Sequence, residues 1–390
     1  MLVTLTRIVI EQDNTKYSAR TKKFTFNFVN QLKIVSSWAN LTDTAELVFP
    51  KNIYFVDEGG KKVNWQGQNT IGDTLNPLLL RGDKITISLG YIYTDKLDNQ
   101  AVQMNEEFKG YITKVVNRIP IKITCEDNMY LLKQVLIPNK VFSSKTYTLQ
   151  KMIAEMLELV PGKPFTNVST TVTNNFQTNI GEFRTQGETI AKVLERLRKD
   201  YHVESYFRGN ELRCSGFVYY PNDLRKHIFK FQENIITDNL EYRRKDDIRI
   251  GATVISINEE DQQQYNEYGY VTKKQKRLES FVGDRNGELI KTLHFLNVKT
   301  KAELERLGQE QLNRQYYEGF FGTFTTFGLP SVRHGDAAVF IDPLPPNERE
   351  GTYLIKQVEK SMNVNEGFKQ TITIDIRLDQ ITEADRQLGL

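Results

Sequence analysis

Only two cysteines, Cys125 and Cys214, occur in 390 residues, and they lie far apart, so no disulfide framework is expected. Cys125, in "IKITCED", reads as a buried thiol. Histidine is also scarce. His202, His227, His294 and His334 show no zinc-binding spacing, and neither an HExxH nor a CxxC pattern occurs, so no metal site and no cofactor are expected. The glycine patterns of nucleotide sites and the GxSxG of serine hydrolases are missing too. Charge of one sign is lacking: 52 basic and 49 acidic side chains leave +3, which gives no support to binding nucleic acid by bulk charge. No run approaches about 18 apolar residues, so no membrane-spanning helix is expected. The opening "MLVTLTRIVIEQDNTK" reaches charged residues without a long apolar core, which argues against a secretory leader. Asn40-Leu-Thr and Asn167-Val-Ser match the glycosylation pattern and are read as chance matches for that reason.

The remaining polar clusters do not make a case for catalysis, and no catalytic residue is nominated. Carboxylates pair at Glu126–Asp127 and Asp246–Asp247. A glycosidase needs two carboxyl groups across a cleft, whereas neighbours on a strand point to opposite faces. Basic runs at "RLRKD" (196–200), "YRRKDD" (242–247) and "KKQKR" (273–277) read as solvated faces, the last in a protruding loop that could touch an acidic partner. Arg81-Gly82-Asp83 spells an adhesion tripeptide but enters a strand.

Aromatics are abundant instead. Eighteen Tyr and 22 Phe among many β-branched neighbours favour sheets, and the length suits about two to four domains. "VTLTRIVI" (3–10), "FTFNFV" (24–29), "TAELVFP" (44–50), "KITISLGY" (84–91), "FKGYITKVV" (108–116) and "IPIKITCED" (119–127) read as strands of a small barrel or sandwich, with 52–76 as a long polar excursion. The middle turns helical. "TLQKMIAEMLELVPG" (148–162) carries an apolar stripe from Leu149 to Val160, and "TQGETIAKVLERLRKDY" (185–201) opens with Thr185 and Glu188 at capping-box spacing. A hairpin around Arg208-Gly-Asn follows. A second β region begins near Asn239, with 258–277 as an exposed hairpin or loop. It contains a helix near 301–316 behind Thr300 and Glu303, and closes on "GFFGTFTTFG" (319–328), "TYLIKQVEK" and "KQTITIDIRL" (369–378). The fold class is mainly β with an α/β insert. The expected division is 1–136, 137–235 and 236–390.

One phrase is written twice. "GDKITISLG … GYITKVV … IPIKITCED" from Gly82 is echoed by "GDAAVFIDP … TYLIKQVEK … KQTITIDIR" from Gly335. The order is a Gly-Asp turn, a strand, a variable loop, a strand, a turn and a strand. Glycine at these entries suits a turn needing positive φ. The first variable loop is taken as Tyr91 through Glu107.

These phrases, with "WANLTDTAELVFP" (38–50), "FKGYITKVVNRIPIKITCEDNMYLLK" (108–133), "GETIAKVLERLRKDYHVESYFRGNELR" (187–213) and "REGTYLIKQVEKSMNVNEGFKQTITIDI" (349–376), resemble the baseplate hub proteins of contractile phage tails. These are the late control or 43-kilodalton tail proteins, related to the hub portion of type VI secretion spike proteins. The resemblance implies two related tube-type β-barrel domains flanking a smaller α/β region. It implies a homotrimeric ring that adapts a six-fold tail tube to a three-fold central spike, among other baseplate proteins. DNA could pass through its channel without sequence-specific binding. The implied location is the virion tail baseplate, after synthesis in the bacterial host cytoplasm. It carries structural roles in turns and strand register to Gly82, Asp83, Gly90, Gly110, Cys125, Glu126 and Asp127, and to Gly335, Asp336, Gly351 and Gly367. No fused hydrolase or attached spike is expected. The other reading is a β-rich carbohydrate-binding or adhesion protein of a phage or cell surface, with 51–76 and 258–277 building an aromatic face.

Overall fold

The structure is a computed structural model. It describes residues 2–15, 18, 20–65, 78–94, 100–116, 119–143, 147–162, 164–165, 167–171, 183–201, 203–215, 218, 223–244, 249–265, 271–287, 289–296, 298–313, 317–343 and 349–379.

Alternating apolar residues build the first region as Leu2–Glu11 (β1), Lys23–Phe26 (β2), Gln31–Ser37 (β3), Thr44–Phe49 (β4), Ile53–Val56 (β5), Lys62–Trp65 (β6), Lys84–Thr94 (β7), Gln100–Val116 (β8) and Ile121–Glu126 (β9). A short helix, Met129–Leu132 (α1), leads into the middle region. That region holds Lys140–Phe142 (β10), Leu149–Leu157 (α2), Asn167–Thr171 (β11), Phe183–Thr185 (β12), Ile190–Tyr201 (α3), Glu204–Arg208 (β13) and Glu211–Ser215 (β14). The last region runs Lys226–Lys230 (β15), Ile235–Arg243 (β16), Ile250–Tyr265 (β17), Val271–Gly283 (β18), Leu289–Leu296 (β19), Lys301–Asn313 (α4), Gly319–Phe327 (β20), Ala337–Ile341 (β21), Gly351–Asn363 (β22) and Gly367–Arg377 (β23).

The expected pair of β-barrels is not what forms. Fifteen strands make one open sheet, ordered β16-β20-β23-β22-β3-β4-β9-β8-β7-β1-β2-β5-β6, with β21 joined to β22 and β15 to β21, and no sheet among the described residues closes on itself. The reason lies in β3. A strand has two hydrogen-bonding edges. One edge of β3 pairs with β4, and the other pairs with β22 from Gln31↔Asn363 to Ser37↔Gln357. The edge that could have closed the first barrel instead joins the two β regions. Their cores merge at the same place, since Met362 and Phe368 pack with Ile8, Phe26, Ile87 and Ile123. Tyr91 strengthens the joint, its hydroxyl donating to the Phe368 carbonyl at 2.5 Å.

Other expectations change locally. Asn27 to Val29 leave the strand, and the supposed excursion contains the β5–β6 hairpin, whose Ile53, Phe55 and Trp65 are buried, with 66–77 outside the described residues. Most of Tyr91 through Glu107 is strand rather than loop. Helix α2 buries Leu149, Met152, Ile153, Met156 and Leu157 behind its Thr148 cap, as its stripe predicts. Helix α3 begins later than expected. Thr185 lies in β12, and Thr189 supplies the cap by accepting from the Lys192 amide. Helix α4 packs Leu304 and Leu312 on Val254 and Val282.

Candidate functional site: a seam where three regions meet

The two Gly-Asp phrases fold into turns with the same backbone bonds. Gly82 has φ +103° and Gly335 has φ +81°, a region that glycine enters without steric cost. Asp83 N–H donates to Leu80 and Asp336 N–H to Arg333, both at 3.2 Å. Gly82 donates to the Ile112 carbonyl, and the Ile112 amide donates back to Asp83. Gly335 and Asp336 make the same exchange with Ile355, all four bonds at 2.8 Å. In each turn one carboxylate oxygen accepts from the amide three residues earlier, that of Leu80 or Arg333. Register shifts occur beside Ile112 and beside Ile355.

The counter-ions differ. Asp83 is held by Arg20, whose Nη1 and Nη2 donate at 2.6 and 2.7 Å, and both side chains are fully buried. The buried carboxylate leaves the adhesion tripeptide without an available acid. Asp336 is held from another region: Arg208, at the end of β13, donates to Oδ1 at 2.7 Å, and His227 Nε2 lies 3.1 Å from Oδ2. Burial pushes the Asp336 carboxyl up, but its bonds to His227, Arg208 and the Arg333 amide win and hold it below its ordinary range.

The tip of the β13–β14 hairpin acts as a keystone. Arg208 also donates to the His334 carbonyl at 2.9 Å, the Tyr206 ring meets His334 edge-on, and Asn128 Nδ2 donates to the Gly209 carbonyl at 2.8 Å. Three regions thus meet around one crevice of about 300 Å³. Its walls include Asp43, Glu107, Asp127, Arg208, His334 and Lys360. Lys360 on β22 forms a buried ion pair with Glu107 on β8, joined by the Ser331 hydroxyl. Burial lowers the Lys360 ammonium against the opposing pull of Glu107. Asp127 accepts from the Met129 amide at the start of α1; burial first, then the Asp43 charge, raise its carboxyl well above the usual range. His334 Nε2 stands 3.5 Å from Asp43.

The other sequence-nominated positions lie along the strands. A side chain on Gly90 would meet the Gln103 backbone, and one on Gly110 the Glu126 backbone, at about 2 Å. Glu126 pairs with Lys133 at 2.8 Å, Gly351 lies against Tyr353, and Gly367 begins β23. Cys125 and Cys214 are buried and unpaired, and burial raises both thiols, Cys214 to about 12. Sequence reading missed the roles of Arg20, Arg208 and His227; His334 lies in the turn before Asp336 and is buried. Asp246 and Asp247, and the side chains of Lys273 to Lys276, lie outside the described residues; Arg277 pairs with Glu279 at 2.8 Å. Among the described residues no three His, Cys, Asp or Glu side chains converge as metal ligands, and no helix is long and apolar enough to cross a membrane.

No described protein family matches the sequence, and no curated protein matches it. Solved structures do. The tail protein from Neisseria meningitidis is similar over 98% of this chain and 98% of its own, with 12% identity and a TM-score of 0.60. The 43 kDa tail protein of prophage MuSo2 from Shewanella oneidensis is similar over 95% and 98%, with 14% identity and a TM-score of 0.53. A chain of the Francisella PdpA-VgrG complex is similar over 96% of this chain and 53% of its own, with 10% identity and a TM-score of 0.50. The chain has the fold of these tail proteins.

Proposed function

We propose that this protein is the structural hub of a contractile-tail baseplate. One observation carries the reading: the likeness to a tail protein runs over 98% of both chains. In this reading three copies form a ring that joins a six-fold tail tube to a three-fold central spike, and other baseplate proteins surround it. Its central channel passes DNA without reading sequence. It acts in the virion baseplate after synthesis in the host cytoplasm.

The open sheet supports a ring. Among the described residues β16 pairs only with β20, β6 only with β5 and β15 only with β21, so the sheet ends in unlike edge strands. Unlike edges suit head-to-tail contacts, which close into rings when the rotation allows. Residues 1–136, 137–235 and 236–390 are the units of the hub in this proposal. Its Gly-Asp turns and the glycines of β7, β8, β22 and β23 set strand register. The crevice favours this reading over carbohydrate binding, because its walls carry charged groups around buried Phe108 and Phe207 rather than exposed rings.

Light scattering on the full chain over a concentration series tests the ring. A mass three times 45.3 kDa is expected, and a monomer that stays monomeric with tube and spike partners added would overturn it.

A further inference from the structure

Two buried aspartates occupy the same place in two matching turns, yet only one has a titratable partner. Arg20 holds Asp83 from within the first region, and arginine as a residue type keeps its charge at working pH. Asp336 has Arg208 on one oxygen and His227 on the other. We propose that His227 is an acid-operated release for the β13–β14 hairpin: protonated, it takes over the neutralisation of Asp336 and lets Arg208 leave.

The argument concerns what remains after the hairpin opens. With His227 neutral, withdrawing Arg208 leaves a carboxylate that is 2% exposed with no cation bonded to it and only the more distant charge of Lys360, and removing one partner of a buried pair is strongly unfavourable. With His227 protonated, a cation stays 3.1 Å from Oδ2, and its repulsion of Arg208 across the shared carboxylate further lowers the cost of opening. Histidine is the side chain that ordinarily changes charge between about pH 5 and 8.

The charged groups facing His227 come from each element around it. Asp336 precedes β21 and Arg208 ends β13, while Lys226 and Lys230, at odd spacing on its own strand, point to the opposite face. Asp223, 2.8 Å from Arg213, also lies 3.9 Å from Arg208 Nε and gives the released guanidinium an exposed carboxylate to follow. Opening would move Phe207 to Asn210, which form one wall of the crevice, and would uncouple the middle region from the second Gly-Asp turn.

Hydrogen exchange on the full chain at about pH 5.5 and about pH 7.5, corrected for intrinsic rates, reads the release directly. Protection over residues 204–215 is expected to fall about 5-fold or more in acid, while residues 80–85 around the Arg20-held turn stay unchanged. His227→Gln should keep the hairpin protected at both pH values. His227→Lys, a permanent cation, should loosen it at both. Equal protection of the native chain at the two pH values overturns the proposal, as does an undiminished acid response in His227→Gln. Native-like protection of His227→Lys at the higher pH overturns it independently.

Discussion

The Asp83 and Asp336 turns share their backbone bonds and differ in the origin of the cation that neutralises them. Geometry fixes the first part. A glycine at positive φ lets the chain bend into the strand, and the aspartate that follows satisfies the amide three residues back. Nothing in that bend dictates where the counter-charge comes from. Arg20 makes the first turn a matter internal to its own region. Arg208 makes the second turn a fastening between regions, and His227 shares its carboxylate. One backbone device therefore serves as a fixed anchor in one place and as a joint in the other.

The comparison breaks most sharply if each arginine is removed. Arg20→Ala strands a fully buried carboxylate, and a loss of about 3–5 kcal/mol of unfolding free energy is expected by denaturant titration. Arg208→Ala should cost less, about 1.5–3 kcal/mol, because His227 and the Arg333 amide remain on Asp336 and Arg208 is 14% exposed. Equal losses would mean that the origin of the cation does not matter. A smaller effect at Arg20 would reverse the assignment of anchor and joint.

The shared backbone can be probed without touching charge. An added Cβ finds no atom closer than 3.5 Å at Gly82 or 3.8 Å at Gly335, so Gly82→Ala and Gly335→Ala report conformational strain rather than collision. Each should cost about 1–2 kcal/mol, and the two values should agree. A large disagreement would show that the turns match in hydrogen bonds but not in energy.

These turns were legible in the sequence because their chemistry is local: Gly and Asp are adjacent and a strand follows. Their counter-ions were not, since Arg20 lies 63 residues from Asp83 and Arg208 lies 128 from Asp336. The barrels failed for the same physical reason. Whether a sheet closes depends on which strand takes the last free edge, and the β3–β22 joint brings Ser37 to the Lys356 carbonyl across 319 positions. "QLKIVSS" also alternates only briefly, through Leu32 and Ile34, before Val35 and two serines interrupt it. At helix α3 the difficulty was different. Thr185 and Thr189 both stand ahead of the apolar stripe, and only the pairing of Thr185 with Lys140 in β10–β12 leaves the cap to Thr189. The likeness to hub proteins was carried by the order of several weak phrases, which survives where single signatures do not.

The smallest expected effect contrasts two buried aspartates at the seam whose carboxyl groups shift in opposite directions. Asp336 is held below its ordinary value, so it contributes stability above the unfolded value that is lost as pH falls through the folded one. Asp127 is raised, by burial and then by Asp43, so its contribution is present below the unfolded value and is lost as pH rises through the folded one. At neutral pH an ionisable carboxyl at Asp127 therefore works against the fold. Asp127→Asn keeps an oxygen for the Met129 amide and removes the ionisable group, and a gain of about 1 kcal/mol is expected near neutrality. The gain should shrink toward zero near about pH 4, where the native carboxyl is itself neutral. Melts of both proteins across that range decide the matter. A loss of stability in Asp127→Asn at neutral pH would mean that the carboxylate's bonds at the start of α1 outweigh its burial, and that both seam aspartates stabilise as anions.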